Sequence, residues 1–400
     1  MKMQEGGEKT AKRMRLENGG TIMDIARRVN QVRAHMEKEG IGLCVVTNDL
    51  NQFYLSGYKA IIYSRPILLA ISMQEARLIV PGLEEDHAKA HYDPNFVDVY
   101  YEHPEKVDRG GSHLFFLKKM LDACPKGSKV GAEYASMSIG LEQFIREQGY
   151  EISDISPLIR RMRYIKDEEE KQLMRQAGKL VSEAMRISVE KAKPGVTEME
   201  MDQFGNQYLL EETPKRHPGA TLDIFVMSPG GLARTNMPHV FSSTRKYNEK
   251  EIVLHSRQVG LSGYRAEIER TFFLGKPSDR QMDIYKVMTE AQQAMLAAIK
   301  PGMTAGEADA IGRTIIQKAG LGQYSNHRCG HGIGVGLHEE PYLRYDNDLV
   351  LEENMAFSIE PGIYIPELGG FRHSDTVILT KDGSEKITEH AWKLEDLIFE

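Results

Sequence analysis

Four segments of the chain gather histidine, glutamate and arginine beside glycine. They are RTNMPHVFSSTRK with His239, GYRAEIERTFF with Glu267 and Glu269, HRCGHGIGVGLHEEP with His327, His331, His338 and Glu339, and FSIEPGIYIPELGGFRHSD with Glu360, Arg372 and Asp375. Imidazoles and carboxylates brought together can move protons near neutral pH, hold a divalent cation, or grip a cationic ligand. Taken singly, each has a plainer reading: a histidine before a strand is usually a hydrogen-bonded structural group, and a glutamate in an alternating strand usually faces solvent. Together they place ionisable groups on several apolar strands of one domain. Burying such groups is costly without partners, so the cluster points to a functional site. GHGIGVG is not a phosphate loop, because it lacks GxxxxGK[ST] and does not satisfy GxGxxG between a strand and a helix.

The elements that must position these residues fall into two domains. From Met23 to Pro157 helix and strand patterns alternate: MDIARRVNQVRAHMEKEG has helical spacing and stops at Gly40, LCVVTN is a short buried strand, and ILLAI and ARLIVP are further strands. This is an α/β domain over 23–157. Arg160 to Lys193 has a helical period and a charged, solvated face, and is expected to be a connecting helix that opens a second domain over 158–400. That domain contains an internal repeat. KPGVTEMEMDQFGNQYL begins at Lys193 and KPGMTAGEADAIGRTII at Lys300, each with a Pro-Gly turn and then a threonine suited to cap a new amphipathic helix. The repeat implies two similar halves facing each other, with a site at their junction.

With 400 residues, 41% apolar and 27% charged, the chain is long enough for two or three packed domains and too apolar for disorder as its main state. A net charge of −7 without a long Lys/Arg run argues against nucleic acid as a partner. No apolar stretch suits a membrane span, the run Ile67 to Ile71 stopping at Ser72. Residues 1–22 lack the apolar core of a secretory signal and read as a flexible tail. Cysteines occur only at 44, 124 and 329, an odd number at unrelated spacings that fits a reducing cytoplasm.

GHGIGVGLHEEP, followed by a SIEPG strand and a GGFRxxD strand, resembles the pita-bread family, which holds methionine aminopeptidase, aminopeptidase P, prolidase and creatinase. The resemblance spans the second domain. It implies an α+β chain in which a C-terminal pita-bread fold, two pseudo-symmetric αβ halves around a curved antiparallel sheet, follows a smaller α/β domain like that of creatinase and prolidase. The metallopeptidases of this family hold two ions with five side chains, which carry over to Ser256, Glu267, His331, Glu360 and Ser374. A neutral hydroxyl is a poor ligand for a divalent ion and cannot bridge two of them. His255 and His373 stand next to the serines, but adjacent strand residues face opposite ways. The resemblance therefore implies no dinuclear centre and no cofactor; a single ion, if held, would take Glu267, His331 and Glu360.

The same departures resemble the metal-independent creatinase and ectoine hydrolase branch. His239 stands before TRK at the spacing of the catalytic histidine of creatinase, Ile268-Glu269-Arg270-Thr271 matches its L-E-R-T, and Ser358-Ile359-Glu360-Pro361 matches its S-M-E-P. Arg65, beside Tyr63 in YSRP, and Arg344 correspond to arginines that grip a substrate carboxylate, with Arg65 reaching the other subunit of a homodimer. The expectation is a metal-independent hydrolase of a non-peptide C–N bond in a small zwitterion bearing a guanidinium or cyclic amidine. His239, Glu269 and Glu360 would be catalytic, His239 as base and proton shuttle. Arg65, Tyr63, Arg344, Glu267, His331 and His338 would bind substrate. Two alternatives are a metal-dependent Xaa-Pro dipeptidase or aminopeptidase with a degenerate or mononuclear site, and a non-catalytic pita-bread binding module.

Overall fold

The structure, a computed structural model, describes residues 14–15, 22–62 and 64–399. The tail expected over 1–22 lies outside the described residues, except that Met14–Arg15 pairs antiparallel with Ile22–Met23. The chain divides into two units, Met1–Arg163 and Tyr164–Glu400.

In the first unit, helix Ile25–Glu39 starts on Asp24, whose carboxylate accepts the Arg27 N–H, and ends at Gly40 in the left-handed conformation at φ 69°. That turn feeds strand Ile41–Val46, buried along its whole length. The strand lies inside a six-stranded sheet ordered Val97–Tyr100, Ala76–Pro81, Leu68–Ser72, Ile41–Val46, Lys129–Ala132 and Ile152–Asp154. Its neighbour Leu68–Ser72 runs antiparallel and Lys129–Ala132 parallel, so the sheet is mixed. Leu43, Val45, Leu68, Ile79, Leu117, Val130 and Ile145 form its core.

The connecting helix expected over Arg160 to Lys193 is two helices, Ser156–Tyr164 and α1, Glu168–Glu190. Asp167 breaks it. As N-cap its backbone is extended, at φ −77° and ψ 177°, and its side chain and that of Glu170 satisfy each other's backbone N–H. Leu173, Met174, Ala177, Leu180, Val181, Ala184 and Met185 make the buried stripe of α1.

The second unit continues with α2 (Glu198–Arg216), β1 (Leu222–Met227), β2 (Glu251–Leu261), β3 (Tyr264–Leu274), α3 (Asp279–Ala298), α4 (Ala305–Lys318), β4 (Gly330–Gly332), β5 (Glu339–Leu343), β6 (Ala356–Ile359), β7 (Gly362–Ile365), β8 (Gly369–Arg372) and β9 (Ser374–Leu379). The main sheet runs β5-β4-β6-β9-β3-β2-β1, with Ser384–Lys386 paired to β9 and Ile398–Phe399 to β3. The seven strands of that path are mutually antiparallel. Val181, Met185, Val259, Ile268, Phe272, Ile284 and Met288 form one buried cluster between the sheet and helices α1 and α3, and each such side chain contributes about 1.5–3 kcal/mol by leaving water. This is the curved antiparallel sheet with helical halves that the motifs imply.

The β2–β3 turn sets the register on which the site depends, and matching caps start the two helices of the repeat. The β2–β3 hairpin turns through Ser262 at φ 47° and Gly263 at φ 89°, the paired positive angles of a two-residue hairpin loop. It pairs Gln258 with Glu267, Ser256 with Glu269 and His255 with Arg270. In the repeat, Thr197 and Thr304 cap α2 and α4 identically, each in a reciprocal box with the glutamate three residues on. No helix among the described residues is long and apolar enough to cross a membrane.

His255 and His373 turn away from the glutamates, as strand alternation requires. His255 Nε2 accepts the Arg257 Nε–H at 3.3 Å, and Nδ1 lies 2.7 Å from Ser228 Oγ. His373 Nε2 lies 3.2 Å from the Tyr285 hydroxyl. Burial, reinforced by Arg257 and Arg270 respectively, holds both far below the usual imidazole range, so both are neutral in the fold.

Two measurements check this reading. Thr304→Ala removes an N-cap whose hydroxyl accepts the Glu307 N–H at 3.1 Å, and it should cost about 1 kcal/mol in urea unfolding, with Thr197→Ala costing the same. The unfolded chain protonates His255 below about pH 6.5 and the folded chain does not, so acid favours unfolding. Relative to His255→Gln, the parent should lose about 1.4 kcal/mol more stability between pH 7.5 and 5.5. Parallel pH profiles of the two proteins would contradict this.

Candidate active site

Glu267 and Glu269 lie two apart on β3 and so share one face of the sheet. His331 on β4 and Glu360, just beyond β6, meet them there. Gly330 and Gly332 flank His331 because β4 runs very close to its neighbours: a Cβ on Gly330 would stand 2.4 Å from the Ser358 carbonyl oxygen, and one on Gly332 2.6 Å from that of Glu340. Any larger residue would push His331 out of place. The GHG of the sequence is thus a packing requirement that delivers an imidazole.

The three glutamates are buried, with side-chain oxygens of Glu267, Glu269 and Glu360 all within 4.8 Å of one another. Each is treated differently by its surroundings. Glu269 is clamped by Arg372, with Nε and Nη2 donating to its two oxygens at 2.6 and 2.7 Å. Burial works against the Arg372 charge, but Glu269, Tyr364 and Glu360 outweigh it and hold the guanidinium's pKa well above its usual value. Arg372 Nη1 also donates to the Pro238 carbonyl at 3.1 Å and the Tyr364 hydroxyl at 2.8 Å, tying down the loop that carries His239.

Glu267 is held by neutral donors. The Ser358 and Ser374 hydroxyls donate to Oε1 at 2.6 and 2.8 Å, and the Gln258 amide donates to Oε2. Burial pushes its pKa up, but His331, Ser358, His338 and Gln258 outweigh it and hold the carboxyl below its usual range. At Glu360 the charges of Arg372 and Arg328 help, but they are outweighed. Burial first, then Glu267 and Glu269, raise its pKa well above the carboxylate range, so without a cation beside it Glu360 keeps its proton.

His331 supplies the remaining part. Its Nδ1 lies 2.9 Å from the Gly332 carbonyl, which can only accept, so Nδ1 carries hydrogen. Nε2 is buried with no hydrogen-bond partner, 3.6 Å from Glu360 Oε1 and 3.9 Å from Glu267 Oε1. That nitrogen faces two carboxylates, an arrangement that suits a cation. Among the described residues, His331 with Glu267 and Glu360, and His338 with His331 and Glu267, are donors that could hold a metal ion. From this point a row of imidazoles runs outward: His338 packs on His331 at a ring separation of 3.9 Å, and exposed His239 lies 6.2 Å from His338. Desolvation, followed by His331, pushes His338 down to about 4.

The fold thus gathers His239, Glu267, Glu269, His331, His338 and Glu360 of the sequence-derived set. Glu269, expected to grip the cationic part of a substrate, has both oxygens on Arg372 instead, because β8 places that arginine at its side. Arg344 is exposed and paired with Asp346, Arg65 with Glu102 at 2.7 Å, and Tyr63 lies outside the described residues. Gln258, Ser358 and Arg372 were not singled out as site residues. For Gln258 a signal existed, since a two-residue Ser-Gly turn fixes it opposite Glu267.

Comparison with known proteins bears on what this geometry does. The profile of Metallopeptidase family M24 matches residues 172–381, and that of the Creatinase/Prolidase N-terminal domain matches 28–165. An Xaa-Pro dipeptidase of Pyrococcus horikoshii is 30% identical over 370 residues, 92% of this chain and 98% of the relative. One from Lactobacillus delbrueckii is 40% identical over 245 residues, 61% of this chain and 65% of the relative. A prolidase from Thermococcus sibiricus superposes with a TM-score of 0.83 at 28% identity, covering 95% of this chain and all of that one. These likenesses overturn the expected metal-independent hydrolysis of a non-peptide C–N bond and the leaning toward the creatinase and ectoine hydrolase branch, because the relatives are named for peptide hydrolysis. The expectation of no cofactor falls with them, since the matching profile is that of metallopeptidases and the carboxylate and imidazole groups can hold an ion. The serines at 256 and 374, read as loss of metal chemistry, leave the donor set of Glu267, His331 and Glu360 intact. With one profile over most of its second unit and the other over most of its first, the chain belongs to metallopeptidase family M24, with a creatinase/prolidase N-terminal domain.

Proposed function

We propose that the protein is a metal-dependent peptidase acting on Xaa-Pro dipeptides or short Xaa-Pro peptides. The observation that carries this reading is His331 Nε2, buried, without a hydrogen-bond partner, and aimed at Glu360 and Glu267 in a chain similar to Xaa-Pro dipeptidases over nine-tenths of its length. Glu267, His331 and Glu360 hold the ion, which when bound supplies Lewis acidity to a scissile carbonyl. His239 and His338 stand at the open side of the site, where His239 transfers a proton to the leaving proline nitrogen. Such general acid–base work contributes roughly 10²–10⁴-fold. Arg372 keeps the His239 loop in place through the Pro238 carbonyl while neutralising Glu269.

The free carboxylate of a dipeptide needs a cationic partner, and Arg344 and Arg65 are assigned to it, with Arg65 supplied by a second copy of the chain. Their ion pairs with Asp346 and Glu102 are exposed and screened by solvent, so a substrate carboxylate can displace them. Cys44, Cys124 and Cys329 are all free, which fits a reducing cytoplasm.

The test is hydrolysis of Ala-Pro and Met-Pro by protein stripped with chelator and then supplied with Mn²⁺ or Co²⁺, with creatine as a control substrate. Dipeptide cleavage should fall at least tenfold on stripping and return with metal, and His331→Asn should not recover. Full activity in chelator, or cleavage of creatine but of neither dipeptide, would overturn the reading.

A further inference from the structure

The charge and donor count of the buried site set how much metal it can take. Glu267, Glu269 and Glu360 bring three carboxylates, and among the described residues Arg372 is the guanidinium in ion-pair contact with them, on Glu269. Two negative charges remain, which one divalent ion neutralises; a second would leave an uncompensated positive charge in a buried site, a costly arrangement. The donors agree. Glu267 Oε1, the oxygen 3.9 Å from His331 Nε2, accepts from Ser358 and Ser374, and Oε2 accepts from Gln258. Of the roughly four acceptor sites on a carboxylate three are taken, which leaves one for an ion and none for a second. Ser374 and Ser358 are themselves 2.6 Å apart, so two neutral hydroxyls crowd that oxygen. Ser256, paired in register with Glu269, likewise offers only a hydroxyl on its strand.

We infer that the site takes one divalent ion per chain, and that Ser358, Ser374 and Gln258 are positioning residues whose hydrogen bonds fix the Glu267 carboxylate and use up the acceptor sites a second ion would need. This rests on the metal reading proposed above but adds a stoichiometry and a role for neutral side chains. Outer partners of this kind orient the ligand, and losing one typically costs 10–100-fold in metal affinity.

The test is calorimetric titration of the metal-free full chain with Mn²⁺, backed by elemental analysis after desalting, with Xaa-Pro hydrolysis followed in parallel. The parent should bind one equivalent. Ser374→Ala should still bind one, about tenfold more weakly, with an unchanged circular dichroism spectrum. Ser256→Asp combined with Ser374→Glu should gain a second equivalent; should that variant fail to fold, the parent's stoichiometry still decides. Two equivalents in the parent, or none, would overturn the inference. Two equivalents with dipeptide hydrolysis would leave the peptidase reading standing, whereas one equivalent without hydrolysis would uphold the inference and overturn that reading.

Discussion

Three buried glutamates share the floor of one site, and their mutual repulsion is the constraint that the surrounding structure is arranged to meet. Like charges this close, out of water, cannot all stay ionised without compensation. Glu269 is met by a bidentate guanidinium and Glu267 by two hydroxyls and an amide, whereas at Glu360 the more distant charges of Arg372 and Arg328 are outweighed by burial and the other two glutamates. The compensating groups come from distant parts of the chain: Gln258 from β2, Ser358 from β6, Arg372 from β8, Ser374 from β9. The main antiparallel sheet must therefore keep its register across β2, β6 and β9, and the separate β7–β8 hairpin must keep Arg372 beside Glu269, for the charges to balance. The Ser262-Gly263 turn is the local feature that fixes the β2–β3 register.

Arg372 links this electrostatic constraint to the opening of the site. Through one side chain it neutralises Glu269, bonds Tyr364 and holds the Pro238 carbonyl, so the loop bearing His239 is anchored to the charge balance at the floor. Tyr364 lies 2.8 Å from His327 Nε2, extending the network to the segment that also carries His331. Desolvation, with the nearby Arg372 charge, drives His327 down to about 3, so it serves there as a neutral partner.

Much of the fold was legible because it is written in local chemistry. Gly40 ends a helix, a threonine follows each Pro-Gly turn and caps the next helix, and the alternation of His255 with Ser256 separates the helix side from the site side. The charged run after Arg160 misled, because its period hid a break that only the Asp167 cap reveals. At the site, the residue types were visible but their pairings were not. Glu269 was read as a ligand for substrate because Arg372 lies about a hundred residues away in sequence and joins it only through the β7–β8 hairpin. Ser374 was read as a missing ligand, whereas in the fold it donates to Glu267. The functional branch was misjudged for the same reason: two serines outweighed a donor set whose geometry and likeness to Xaa-Pro dipeptidases point to metal chemistry.

The proposal at the centre of this account is that Glu360, Glu267 and His331 bind a cation. The most direct measurement is an anomalous difference map from crystals of the full chain grown with Mn²⁺. One peak per chain, bonded by Glu267, His331 and Glu360 at roughly 2.0–2.3 Å with Ser374 still on Glu267, is the expected result. A map with no peak among these residues, and Glu360 instead hydrogen-bonded as a protonated acid, would contradict it.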